Sequence, residues 1–317
     1  MRKLACASIA LFSSISFGSD KLFGFYHVFP DDIESVKDWT NVVHIQAANP
    51  DEPIEQILKN HPTAKFIFEF NALDISLNFQ NGCQYEKCHF YDRNKVQSIL
   101  TAVEDTIEPY KNRIAALMIA DEPETNSPTM DSLDNLIADI KQREKLANIP
   151  LWINFDNINP VFTNTSFHIT NNVDWVSLTP NYGQYCYFML CEQGRYDILF
   201  NEIHNHPNTK IMVVGDGWSN EPDAYYGSRL YQVGSDHLTK IDRLYDGVKE
   251  RALQEGVDIV GMLVFSWSFP GPYTVKYSTK VIKETWKRKS QEIIEGTDGN
   301  DIVPIAELKP PVIYIVP

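Results

Sequence analysis

The strongest constraint on this chain's fold is a repeated alternation. A short run of consecutive apolar residues is followed by a longer segment whose apolar residues recur three and four positions apart. Leu22 to Phe29 is the first run, and Asp31 to Trp39 is helical after a Pro30-Asp31 start. Asn41 to Ala47 and Ala64 to Asn71 are the second and third runs, with a helix from Pro53 to His61 between them. Asn94 to Tyr110 is helical, and Arg113 to Ala120 is the fourth run, closed by Asp121-Glu122-Pro123. Met130 to Leu146 carries Leu133, Leu136, Ile137 and Ile140 on one helical face. Pro150 to Phe155 and Val173 to Thr179 are the fifth and sixth runs, and Asn157 to Asn172 between them lacks a helical period. A helix from Tyr196 to His204, a run from Lys210 to Val214, a helix from His237 to Gln254, a run from Asp258 to Ser266 and a helix from Tyr277 to Ile294 complete the series.

Runs that are apolar on both faces read as parallel strands covered on both sides. Parallel neighbours joined through helices require right-handed crossovers. Eight such units predict an α/β chain folded as one (β/α)8 TIM barrel over residues 19–295. A doubly wound open sheet is the rival architecture, but no Gly-x-Gly-x-x-Gly follows the first run. Residues 296–317 read as a tail: Gly296 to Asp301 forms turns, and Pro304 to Pro317 runs extended.

Charge narrows the partners. The 317 residues carry 28 Lys and Arg against 42 Asp and Glu, a formal net charge of −14. Phosphate neutralisation needs a basic surplus, so a nucleic-acid partner is excluded. Met1-Arg2-Lys3, the short apolar run Leu4 to Ile15 and the small residues of Ser16-Phe17-Gly18 read as an export signal, cleaved after Gly18. The mature chain is then expected to be secreted or periplasmic, with no membrane anchor, because no later segment approaches about 20 uninterrupted apolar residues.

Export bears on the cysteines. Cys83 with Cys88, and Cys186 with Cys191, repeat one C-x4-C spacing in polar, aromatic segments. An oxidising compartment favours disulfides, and the short intervals favour the local pairs Cys83–Cys88 and Cys186–Cys191; pairing across the two segments and a four-thiolate zinc site are the alternatives.

A barrel places its chemistry at the C-terminal ends of its strands. Those positions are polar and aromatic: Tyr26 and His27, His44 and Gln46, Glu69 and Asn71, Asp121 and Glu122, Asn154 and Asp156, Asn181 and Tyr182, Asp216 and Trp218, and Trp267. Aromatic faces stack on sugar rings while carboxylates and amides bind hydroxyls, so an oligo- or polysaccharide is the expected ligand. No H-E-x-x-H, phosphate-binding glycine loop or Gly-x-Ser-x-Gly occurs, and no cofactor or metal is expected. The sharpest local signal is Ala120-Asp121-Glu122-Pro123. A carboxylic acid there would protonate a glycosidic oxygen if its neighbour's negative charge kept it protonated.

On these residues the chain resembles the (β/α)8 glycoside hydrolases over most of residues 20–295. The Asp-Glu pair after the fourth strand is similar to that of β-N-acetylhexosaminidases and β-N-acetylgalactosaminidases, where the substrate's acetamido oxygen is the nucleophile. The resemblance implies that Asp121 orients the acetamido group and Glu122 is the general acid/base. The glycine-rich lead-in common in hexosaminidases is replaced here by Leu117-Met118-Ile119-Ala120. A second resemblance is to retaining glycosidases with an acid/base after strand four and a carboxylate nucleophile after strand seven, positions that Glu122 and Asp216 fit. A non-catalytic glycan-binding barrel is the alternative, keeping the aromatic rim without needing paired acids.

Overall fold

A computed structural model describes residues 20–26, 28–46, 54–69, 93–121, 123, 130–155, 158, 168–179, 188–216, 235–265, 275–277 and 280–296. Its strands are β1 (Leu22–Phe25), β2 (Val43–Gln46), β3 (Phe66–Glu69), β4 (Ile114–Asp121), β5 (Leu151–Phe155), β6 (Trp175–Leu178), β7 (Lys210–Asp216) and β8 (Ile259–Phe265). They form one sheet in the order β1-β8-β7-β6-β5-β4-β3-β2, with every laddered pair parallel. The seam between β1 and β2 is drawn together by backbone bonds from the Asn41 and Val42 N–H groups to the Phe23 carbonyl (3.1 and 3.4 Å) and from the Val28 N–H to the His44 carbonyl (3.0 Å). Asn41 staples it further, accepting from the Phe23 N–H and donating to the Lys21 carbonyl, each at 2.8 Å. The fold is the expected single-domain (β/α)8 barrel.

Two glycines permit that closure. A Cβ on Gly24 would stand 2.3 Å from the Val42 carbonyl oxygen, and one on Gly261 would stand 1.9 Å from that of Leu22. The backbones flanking β1 approach too closely for any side chain.

Among the described residues the α-helices are α1 (Ile33–Val36), α2 (Ile54–Asn60), α3 (Arg93–Ile107), α4 (Met130–Lys141), α5 (Phe188–Ile203), α6 (Ser235–Glu255) and α7 (Lys280–Glu295). Strand alternation sorts the apolar residues into two cores. Phe23 and Phe25 point outward, their rings 6.4 Å from Trp286 of α7 and 6.0 Å from Trp39 respectively. The α4 stripe of Leu133, Leu136, Ile137 and Ile140 is buried in this outer core, as its period predicts. Full burial of each such side chain stabilises by about 1.5–3 kcal/mol. Leu22, Val42, Ile67, Ala116, Met118, Trp152, Trp175, Met212, Val214 and Leu263 fill the lumen. Among the described residues no helix is long and apolar enough to cross a membrane.

Several boundaries differ from the sequence reading. The first strand stops at Phe25, and Tyr26 already lies in a bend. The fourth and seventh strands run on to Asp121 and Asp216, so both acids belong to strand ends. Helix α5 begins at Phe188 instead of Tyr196, which puts Cys191 on a helix. Its opening Phe-Met-Leu-Cys run is apolar at consecutive positions, and this hides the helical period. Helix α4 stops at Lys141, short of Leu146, and residues 142–149 form turns and bends.

Candidate active site

Within each strand, lumen-facing residues alternate with helix-facing ones. On β5 this puts Trp152 and Asn154 inside, with Ile153 and Phe155 in the outer core. On β6 the same parity gives Trp175 and Ser177, and continues to Thr179 just beyond the strand.

Strand β4 departs from simple alternation. Met118 pairs with Trp152, but Ala120 pairs with Ile153 and Asp121 with Asn154, so the register slips by one residue between Met118 and Ala120. Ile119 and Ala120 both lie in the outer core, while Met118 fills the lumen. The bulge therefore brings Asp121 onto the lumen side three residues after Met118. Bulges re-aim side chains in this way at strand ends.

The partly buried Asp121 is met there by a chain of hydrogen bonds. The Trp152 indole Nε1–H donates to Ser177 Oγ at 2.9 Å. Ser177 donates in turn to Asn154 Oδ1 at 2.6 Å. The Asn154 Nδ2 hydrogens go to Asp121 Oδ1 at 2.8 Å and Thr179 Oγ1 at 2.6 Å. Asn154, Ser177 and Thr179 are all buried, so these bonds replace lost hydration.

A second cluster occupies the adjoining wall. The Tyr26 and His44 rings stack with centroids 4.1 Å apart, and Trp152 meets both edge-on at 5.8 and 5.7 Å. Phe265 of β8 lies 5.4 Å from the Tyr26 ring. The Tyr26 hydroxyl donates to Met118 Sδ at 3.2 Å, and His44 Nε2 approaches the same sulfur at 3.3 Å. Glu69 Oε2 stands 3.7 Å from His44 Nε2, longer than a hydrogen bond, with both side chains buried. Trp152 thus touches both clusters and joins the carboxylate at β4 to the one at β3.

Of the residues singled out from the sequence, the structure brings Tyr26, Glu69, Asn154 and Asp121 to this end of the lumen. Asp216 ends β7 opposite Phe265, described for its backbone alone. Glu122, His27, Asn71, Asp156, Asn181, Tyr182, Trp218 and Trp267 lie outside the described residues, as do Cys83, Cys88 and Cys186. Cys191 is described only as backbone of α5. Sequence reasoning passed over Trp152, Met118, Ser177 and Thr179. A parity signal for three of them exists: Trp152 stands two before Asn154, and Ser177 and Thr179 are polar residues spaced by two in an apolar run.

No protein-family model matches this chain, and no curated protein does. Among solved structures it is similar to CbXyn10B in native form, at 10% identity and a TM-score of 0.52 over 84% of this chain and 96% of that one. It is also similar to a calcium-binding mutant of Bacteroides uniformis β-glucuronidase 2, at 12% identity and a TM-score of 0.51 over 84% of this chain and 34% of that one. Ruminococcus gnavus β-glucuronidase in complex with D-glucuronic acid gives 15% identity and a TM-score of 0.50, covering 85% of this chain and 49% of the other. What these proteins share with the chain is the barrel.

Proposed function

We propose that this protein is an exported glycoside hydrolase that acts on an oligo- or polysaccharide, with Glu122 as general acid/base. The observation that carries this reading is the Asp121 carboxyl, turned into the C-terminal end of the lumen by the β4 bulge and held there by Asn154. That end of a (β/α)8 barrel is where its reactions take place. Similar barrels include proteins named as β-glucuronidases, one of them solved with D-glucuronic acid.

In this reading Glu122, next in sequence to a held carboxylate, protonates the departing glycosidic oxygen and then activates water. Two partners fit the step. Asp121 would orient an acetamido group whose oxygen attacks the sugar carbon, or Asp216 would attack it directly. Trp267, Trp218 and Tyr182, just past their strands, would offer stacking faces to the sugar. Residues 1–18 would direct export, and the cysteine pairs would close as disulfides outside the cell.

The test is hydrolysis of a panel of aryl glycosides that includes N-acetylhexosaminides. Glu122→Gln keeps shape but carries no transferable proton, and turnover should fall by about 10²–10⁴. Asp121→Asn should damage N-acetylhexosaminides selectively if the acetamido oxygen attacks. Asp216→Asn should stop every substrate if Asp216 attacks. A rate that survives Glu122→Gln overturns the assignment. A wild-type protein that binds glycans yet hydrolyses none would instead be a binding module.

A further inference from the structure

Asn154 has the residue type of a sugar-binding amide, yet its polar atoms are committed within the fold. It is 2% exposed, accepts from Ser177, and donates one amide hydrogen to Asp121 and the other to Thr179. The direction of the chain is set by the Trp152 indole at its start, a group that works one way only. An indole N–H can only donate, so Ser177 receives from Trp152 and has its own proton to give to Asn154 Oδ1. That orientation leaves the NH2 side of the amide facing Asp121, whose Oδ1 accepts from it. We propose that Asn154 is a positioning residue whose amide, oriented by Trp152 and Ser177, holds Asp121 in the lumen and in its ionised form.

The physical basis is the difference between donating to a charged and to a neutral acceptor. A hydrogen bond to a carboxylate is about twice as strong as one to a neutral carbonyl, so the contact favours the charged state. Among the described residues, the β5 and β6 side of Asp121 offers the neutral groups Asn154, Ser177 and Thr179. Beyond the Trp152 ring, the β2 and β3 side carries the titratable His44 and Glu69. Glu122 follows directly in sequence. The held negative charge would in turn favour the protonated form of Glu122, as its acid role demands. The assignment deepens the glycosidase reading and rests on it for what Asp121 does, whereas the measurement below needs no turnover.

Protein labelled with carboxyl-13C aspartate is titrated by NMR, with the Asp121 resonance identified by its loss in Asp121→Asn. In Asn154→Leu, close in size but without a donor, the Asp121 titration midpoint should move to higher pH. Ser177→Ala, which frees the amide to turn, should move it the same way by less. If Asn154→Leu fails to fold, Ser177→Ala carries the test alone. In an active enzyme the acid limb of the kcat profile should move with the midpoint while KM holds. A folded variant whose melting temperature falls while the Asp121 midpoint stays at the wild-type pH overturns the proposal and leaves Asn154 a packing residue. A moved midpoint in a protein that hydrolyses no glycan upholds the positioning role and refutes the glycosidase reading instead.

Discussion

At the C-terminal end of the strands, Ser177 and Thr179 are buried neutral groups bonded to the buried Asn154, whose amide also donates to the Asp121 carboxylate. At the N-terminal end, a cavity of about 380 Å3 is bordered by Lys21, Lys65, Lys210, Asp20 and Asp258, with the Trp175 ring in its wall. Lys210 and Asp258 meet there at 3.2 Å with side chains 48% and 71% exposed. Water screens a pair so exposed, and its net contribution is small. The buried network is a different matter, since an incomplete set of bonds in a low-dielectric lumen costs more than an apolar replacement. A fold gains little stability from neutral polar groups at such a depth. Their completeness is consistent with orientation of Asp121 as what they provide, whereas the exposed pair at the opposite end has water to replace either partner.

Substitutions at the two ends should therefore differ steeply. Trp152→Ala empties the middle of the lumen and removes the donor to Ser177, so it should destabilise by about 3–5 kcal/mol in chemical denaturation. Its ring contacts with Tyr26 and His44 would go as well. A loss below about 1 kcal/mol would mean that the lumen collapses around the gap, and the contrast between the ends would weaken. Tyr26→Phe keeps the stack on His44 and deletes only the hydroxyl that donates to Met118 Sδ. It should cost about 1 kcal/mol, the net value of one buried hydrogen bond. An unchanged melting temperature would show that the sulfur contact is incidental. The smallest effect belongs to the other end. A double-mutant cycle of Lys210→Ala and Asp258→Ala should give a coupling of about 0.2–1 kcal/mol, falling further at high salt. A coupling well above that range would place the ion pair in the same energetic class as the lumen network.

Much of the fold was legible because its signals are local. The stripe Leu133, Leu136, Ile137 and Ile140 marks a buried helical face whatever it packs against, and all four are buried. The runs Lys-Phe-Ile-Phe-Glu and Leu-Trp-Ile-Asn-Phe mark strands with both faces covered. Where composition masked the period, as in the apolar opening of α5, the boundary slipped by eight residues. The candidate site was legible as a set of strand ends, and Asp121, Glu69, Asn154 and Tyr26 do gather at one end. Their relations were not legible, because a bond such as Trp152 to Ser177 joins residues 25 apart on neighbouring strands.

Over the described residues, the sequence by itself determined the kind of each element, their parallel alternation, and which residues share a face wherever a strand alternates without a bulge. These depend on periods of about 3.6 and 2 that each segment carries alone. The tertiary structure decided that Asp121 enters the lumen at the end of β4. Uninterrupted alternation from Met118 would have brought in Ala120, and the bulge brings in Asp121 instead. A bulge depends on how one strand matches two neighbours: β4 must fit β3, where the register shifts between Phe66 and Ile67, and β5, where it shifts between Met118 and Ala120. No single segment contains that match, so the orientation of the carboxylate exists only once the barrel has closed.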